Sequence, residues 1–94
     1  MKIRYSLKIQ NPTVAKLHSI ILVRLVTGMG LKEAKIMVED GDVEVIGERT
    51  EHSLRPDTED LKLLADSLAR TREILEAKGV VFTLSLSVSV EVPS

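Results

Sequence analysis

Apolar and polar residues alternate near both ends of the chain, which predicts a β-strand at each end. In residues 2–10 the apolar positions are Ile3, Tyr5, Leu7 and Ile9, and charged or polar residues separate them. Residues 80–92 give the clearest alternation, with one aliphatic face and one face made mostly of hydroxyl groups. This last strand is longer than the others, so we expect its end to pair with something else, although Pro93 limits its continuation.

The pattern between the strands changes to a helical one. The first helix is expected from about Pro12 to Thr27, with Asn11 as a plausible N-cap and Pro12 at the first helical position. Gly28 suits the left-handed position that follows a helix. A second helix is expected over about residues 31–39, with its apolar stripe at Leu31, Ala34 and Val38.

A third strand and a third helix complete the pattern. Val43 and Val45 begin a strand whose end is poorly defined, since Gly47 could form a bulge and residues 48–55 resemble a polar turn. The third helix is expected to begin at Pro56, with Asp57 or Thr58 as its cap, to run to about Lys78 and to end at Gly79. Its apolar stripe consists of Leu61, Leu64, Leu68, Thr71 and Leu75.

The elements therefore follow the order β-α-α-β-α-β within one domain that covers residues 1–94. Because each strand has one apolar face, we expect an α/β two-layer (α+β) fold with three helices packed on one face of a three-stranded, mainly antiparallel sheet. The last helix is expected to make a right-handed crossover between the second and third strands.

The first helix is unusual because it has two apolar sides. Leu17, Ile20, Ile21 and Arg24 share one side, and a second group occupies the opposite side. The second group consists of Ala15, Ser19, Leu22 and Val26. Hydrophobicity alone would place Leu17, Ile20 and Ile21 in the core. Whichever side faces outward needs a partner, and we expect that partner to define the function.

Composition narrows the choice of partner. The net charge is −1 and the chain contains one Tyr, one Phe and no Trp, which makes nucleic-acid binding unlikely. The longest apolar run is too short to span a bilayer, and no signal peptide is visible. The chain has no cysteine, so a disulfide framework and a thiolate metal site are excluded. We expect a cytoplasmic protein with no membrane association.

No group of residues resembles a catalytic, cofactor or metal site. Gly28 and Gly30 follow a helix and lack a third glycine, so we interpret them as an elbow rather than a phosphate loop. Acidic residues near the end of the second helix favour a solvated turn over a cation site; these are Glu39, Asp40, Asp42 and Glu44. His18 and His52 have no metal-ligand spacing, and Ser85, Ser87 and Ser89 have no nucleophile elbow or obvious base. We therefore expect a protein that is not an enzyme and has no cofactor or metal.

Residues 27–35 carry a family resemblance. Their sequence, Thr-Gly-Met-Gly-Leu-Lys-Glu-Ala-Lys, resembles the Thr-Gly-Leu-Gly-Leu-Lys-Glu-Ala-Lys signature of the C-terminal domain of the bacterial ribosomal stalk protein. Residues at matching spacings extend the resemblance over about residues 14–39, and residues 75–79 look like the family's closing helix end. The resemblance implies three helices on a three-stranded sheet, as in the general fold shared with the Clp protease adaptor ClpS. The adaptor's Asn-Asp-Asp ligand-binding stretch is absent here.

The resemblance also implies a docking surface. In the family, the first two helices present a surface that binds translational GTPases. Transferred residue by residue, that surface is Lys16, Leu17, Ile20, Ile21, Arg24 and Lys35, with Ser19, Leu22, Val23 and Val26 facing inward. To it we add Lys32 from the basic edge and Ile36, because Ile21 and Ile36 stand where the family usually has a lysine and an acidic residue. Both changes make the outer face more apolar.

The chain differs from a stalk subunit in one further way. It shows neither the N-terminal dimerisation domain nor the flexible hinge of the family, so we expect a standalone, divergent copy. Such copies are plausible in bacteriophages and mobile elements.

Three functional hypotheses follow, in decreasing order of support. The first is a protein-docking module that binds a translational GTPase or another protein, such as one from a host, through the first two helices. The second is a self-associating structural protein, a homodimer formed through the same helical face or through the long last strand. The third is nucleic-acid binding through Lys16, Arg24, Lys32 and Lys35, which would depend steeply on salt.

Overall fold

The order of elements agrees with the sequence pattern. A computed structural model describes residues 2–50 and 59–89, and side-chain burial from residue 62 onward in the second range. Its elements are β1 (Lys2–Gln10), a short 3-10 helix (Pro12–Ala15), α1 (Lys16–Thr27), α2 (Leu31–Glu39), β2 (Val43–Thr50), α3 (Glu59–Ala77) and β3 (Val81–Ser89). The predicted β-α-α-β-α-β order and the three-helix, three-strand α+β fold are confirmed.

The sheet is built around β1. The strand order is β2-β1-β3, and both outer strands run antiparallel to β1. Ile3, Leu7 and Ile9 of β1 are fully buried, whereas Arg4 and Lys8 between them are exposed. The helices therefore cover one face of the sheet, and the opposite face is open to solvent.

The core is a single aliphatic cluster between the helices and the sheet. α1 packs against α2, α3 and β1, so it lies at the centre of the helical layer. The buried aliphatic residues that the helices supply are Ile20, Leu22, Val23, Val26, Ala34, Val38 and Leu75. Fully burying one such Val, Ile or Leu side chain stabilises a fold by about 1.5–3 kcal/mol.

β2 is longer and more regular than its sequence predicts. It runs to Thr50, so the polar residues Glu48 and Arg49 belong to the strand rather than to a turn. The Arg4 Nε atom donates a hydrogen bond to Glu48 at 3.0 Å, and the Lys8 ammonium lies 3.6 Å from the Glu44 carboxylate. These charged side chains face solvent in pairs across neighbouring strands, which explains why a polar sequence can form a strand here.

Gly47 is a regular strand position and not a bulge, because it pairs directly with Tyr5 in an unbroken register. A Cβ atom built on Gly47 would lie 2.5 Å from the Tyr5 hydroxyl oxygen and 2.7 Å from its Cζ atom. The tyrosine ring thus occupies the space that a side chain at position 47 would need. This close approach is the physical reason for a glycine within the strand.

The ends of α1 correct one prediction and confirm another. Asn11 stands at the N-cap position of the 3-10 helix rather than of α1, and it has a left-handed backbone (φ 49°) and no side-chain capping hydrogen bond. The chain instead enters α1 through the 3-10 helix, and Ser19 Oγ donates to the carbonyl oxygen of Pro12 at 3.0 Å. At the other end, Gly28 adopts the predicted left-handed conformation (φ 76°), and its N–H donates to the carbonyl of Arg24.

Two predictions lie partly or wholly outside the described residues. The proposed start of α3, at Pro56, Asp57 or Thr58, is one of them, and so is the continuation of the last strand over residues 90–92. Within the described range, β3 does not extend past β1, because the two nine-residue strands pair from Lys2 with Ser89 to Gln10 with Val81.

We expect Gly47→Ala to lower the free energy of unfolding by about 1–3 kcal/mol, because the added methyl group forces the Tyr5 ring out of its position. Urea denaturation followed by circular dichroism measures the loss. Gly30→Ser is the matched control: apart from neighbouring residues along the chain, nothing lies within 4 Å of its new Cβ, and serine is favoured at the N-cap position of α2. Equal stability of Gly47→Ala and the wild type would contradict this explanation.

Candidate functional site

The buried side of α1 is the one that the family resemblance implies. Ser19, Leu22, Val23 and Val26 are all buried, as predicted. Ser19 is a polar residue within this apolar side, and its hydrogen bond to the Pro12 carbonyl satisfies its hydroxyl group. The structure thus selects one of the two apolar sides of α1 for the core and leaves most of the other for solvent.

Ile20 is the exception and corrects the predicted docking surface. It is only 6% exposed and belongs to the core, although the resemblance places it outside. At about 100° per residue, Ile20 lies on the same flank of α1 as Lys16 and Thr27. That flank faces α2, because the Lys16 ammonium pairs with Glu39 at the end of α2. The packing of α1 on α2 therefore buries Ile20.

The outward side of α1 carries two apolar residues followed by an arginine. Leu17 is 66% exposed, Ile21 is half-buried and Arg24 is exposed. Ile21 and Arg24 line a shallow groove of about 340 Å³, together with Leu25, Gly28 and Met29 at the elbow. Leu17, Ile21 and Arg24 are spaced three and four residues apart, so they form one row along the helix.

Exposed basic residues also lie on both helices. Lys16, Lys32 and Lys35 are all exposed, as predicted. Lys16 is engaged with Glu39, whereas Lys32 and Lys35 lie on the exposed surface of α2. The hydrogen bond from Lys16 lowers the pKa of the Glu39 carboxyl below its ordinary value, and the charges of Lys16 and Lys35 lower it further. We call the surface formed by Leu17, Ile21, Arg24, Lys32 and Lys35 the α1–α2 face.

Ile36 is exposed but has different neighbours. It is 51% exposed and lies on the side of α2 opposite the buried Ala34 and Val38. The groove that it lines, about 450 Å³ in volume, also includes Met37 and four acidic residues, Glu33, Asp40, Asp42 and Glu44. Ile36 therefore borders an acidic groove, and the structure does not bring it into the groove that contains Ile21 and Arg24.

Sequence reasoning missed several residues near the elbow. Leu31, assigned to the apolar stripe of α2, is 56% exposed because it is the first residue of the helix, beyond the part that α1 covers. Met29 and Leu25 line the groove at Arg24 but lay outside the predicted surface. The position of Leu31, directly after Gly30 and at the first residue of α2, is the sequence signal that could have identified it as exposed.

The acidic residues after α2 are held by contacts within the chain. Asp42 accepts a hydrogen bond from the backbone N–H of Asn11 at 2.9 Å, and Glu44 pairs with Lys8. In residues 2–50 and 59–89, no group of three or more histidine or acidic side chains is arranged to hold a metal ion. His18 is half-buried in α1, and His52 lies outside the described residues. Ser85, Ser87 and Ser89 are exposed on the open face of the sheet.

The fold and this face define a small α+β domain with an exposed, partly apolar pair of helices. None of the helices in the described part of the chain combines the length and the apolar character needed to cross a bilayer. Comparisons with protein families, with curated proteins and with solved structures find no match. The likeness to the ribosomal stalk domain therefore stays a prediction from residues 14–39.

We expect Ile20→Asp to unfold the domain or to cost at least about 3 kcal/mol, because it places an unpaired carboxylate in the core. Leu17→Asp is the matched control, since it makes the same chemical change at an exposed position in the first turn of α1. There a negative charge is favourable to the helix dipole, and we expect a change within about 0.5 kcal/mol. Thermal unfolding followed by circular dichroism compares the two variants; equal destabilisation would contradict the assigned facing of α1.

The Lys16–Glu39 pair predicts a pH dependence. Because the folded-state pKa of Glu39 lies below its ordinary value of 4.5, the pair stabilises the fold fully above that value. The contribution is lost as the pH falls through the lower pKa of the folded state. NMR titration should show the pKa of Glu39 rising toward its ordinary value in Lys16→Met but not in Lys8→Met, whose ammonium contacts Glu44 instead. An ordinary Glu39 pKa in the wild type would refute the pairing.

Proposed function

We propose that this domain is a non-catalytic protein-docking module that binds its partner through the α1–α2 face. The observation that carries this proposal is the outward row of α1, formed by the exposed Leu17, the half-buried Ile21 and the exposed Arg24. Apolar side chains exposed as a group, with charges around them, are typical of interaction sites on soluble domains.

The charges of the face indicate the chemistry of the partner. Arg24 continues the apolar row, and Lys32 and Lys35 are exposed on α2, so we expect the complementary surface to carry acidic side chains as well as an apolar centre. Leu17 and Ile21 would fill that centre, and the basic residues would set orientation and association rate more than affinity.

We infer that the partner is a translational GTPase. The support is the resemblance of residues 27–35 to the stalk signature, together with the exposure of Lys16, Leu17, Arg24 and Lys35, four of the six residues transferred from the family. The mechanism would be occupancy of the site that the GTPase offers to the ribosomal stalk, which recruits the enzyme or competes for it.

Nucleic-acid binding has less support from the same face. Of the four cations that the hypothesis requires, Lys16 is paired with Glu39. The acidic groove beside Ile36 also lies on α2, so the helix carries charges of both signs. A phosphate backbone favours a continuous basic surface, which α2 does not offer.

The test is the affinity of the purified domain for purified bacterial elongation-factor GTPases, measured by isothermal titration calorimetry. We expect micromolar binding by the wild type and a loss of about tenfold or more for Leu17→Asp and for Arg24→Glu. Ile46→Asp is the matched control, because Ile46 is 74% exposed but lies on β2 away from the helices.

The design separates binding from folding, because each substituted side chain is exposed and circular dichroism verifies the fold of each variant. Absence of wild-type binding to every elongation factor would overturn the assignment of the partner. Equal affinity of Leu17→Asp and Ile46→Asp would overturn the assignment of the face.

A further inference from the structure

The two edge strands of the sheet differ in their protection against pairing with another chain. β2 carries Glu44, Glu48 and Arg49, whereas residues 80–90 contain no charge, no glycine and no proline. Edge strands of soluble proteins usually carry charged residues, proline or a bulge that prevents such pairing. The register of β3 on β1 is unbroken, and among the described strands none pairs with the outer edge of β3.

The apolar layer beneath β3 is also incomplete. Leu84 pairs with the fully buried Leu7 of β1, yet Leu84 and Leu86 are only partly buried and Val88 is 39% exposed. A groove of about 350 Å³ opens between α3 and β3. It is lined by Ala65, Leu68, Ala69, Arg72, Leu84 and Leu86. The apolar residues of β3 are therefore incompletely covered at the same edge of the sheet where the backbone of β3 has no neighbouring strand among those described.

We propose that a second copy of this chain occupies this edge, with the two β3 strands paired antiparallel about a two-fold axis at Ser85. The product is a dimer with one continuous six-stranded sheet. This two-fold axis keeps the helices of both copies on the same face, so hydroxyl residues meet hydroxyl residues and aliphatic residues meet aliphatic ones.

The residue pattern of β3 is complementary to itself in this arrangement. Thr83 lies opposite the partner's Ser87, and Leu84 lies opposite the partner's Leu86. Hydroxyl pairs and aliphatic pairs both stabilise neighbouring strands, and no like charges face each other. Adjacent strands are about 4.8 Å apart, so the partner's Leu86 would cover Leu84 at the mouth of the groove.

A second copy fits this edge better than an unrelated strand. The alternation of apolar and hydroxyl residues holds from Phe82 to Ser89, so the antiparallel copy presents the same two faces in the same layers. In this dimer, the partner's α3 would lie beside the open side of the groove between α3 and β3. This interface shares no residue with the α1–α2 face and stands independently of the docking proposal.

Sedimentation velocity over a concentration series tests the dimer. We expect the wild type to dimerise, and Ser85→Lys and Ser85→Glu each to associate about tenfold or more weakly, since each opposes two like charges at the axis. An equimolar mixture of the two variants should restore dimerisation, because opposite charges then face each other. Ile46→Lys, which adds the same charge at an exposed position on β2, should dimerise like the wild type.

A disulfide cross-link tests the register in which the two β3 strands pair. The chain has no cysteine, so a single Ser85→Cys reports the distance at the axis without background. Opposed residues of paired antiparallel strands lie about 4.5–5.5 Å apart between Cα atoms, within the range that a disulfide spans. We expect rapid oxidation of Ser85→Cys to a disulfide-linked dimer and little linkage of Ile46→Cys.

Three results would overturn the proposal. A wild-type monomer at every concentration would refute it, and so would a failure of Ser85→Cys to form the cross-link. A dimer that survives Ser85→Lys but dissociates in Leu17→Asp would place self-association on the α1–α2 face instead.

Discussion

The burial of one face of β1 is the constraint on which the structure depends. β1 lies between both other strands, and its apolar residues Ile3, Leu7 and Ile9 are completely removed from water. A shift of the register by one residue would exchange this face for Arg4 and Lys8, so the position of each neighbouring strand is strongly specified. The helices then have only one apolar surface on which to pack, and α1 lies across it.

Local signals were sufficient for most of the fold. Period-two alternation located β1 and β3, and the glycine after α1 marked an elbow whose left-handed conformation the structure confirms. β2 was harder to delimit, because Glu48 and Arg49 resemble turn residues when viewed alone. Their strand conformation depends on partners in β1 more than forty positions away, such as Arg4 for Glu48. No local pattern contains that information.

The candidate site shows a similar limit. Periodicity showed that α1 has two apolar sides, and the family pattern correctly assigned Leu22, Val23 and Val26 to the core. The same pattern failed at Ile20, because a residue on the flank of a helix is buried or exposed according to where the next helix packs. Likewise, only the three-dimensional arrangement shows that Ile36 borders an acidic groove rather than the apolar row of α1. Whether a helix residue belongs to a binding surface depends on how its helix packs against its neighbours. A projection of one helix does not contain that information.

The strand order has a consequence for synthesis on the ribosome. The central strand is made before both of its neighbours, and β2 follows after only two short helices. The segment from β1 to β2 can therefore form its hairpin-like pairing and enclose much of α1 while α3 and β3 are still to be translated. β3 then adds to a preformed edge of β1, which makes its docking the late, long-range step of folding. Until that step, the nascent chain exposes a free backbone edge on β1, the strand whose apolar face is completely buried in the finished fold.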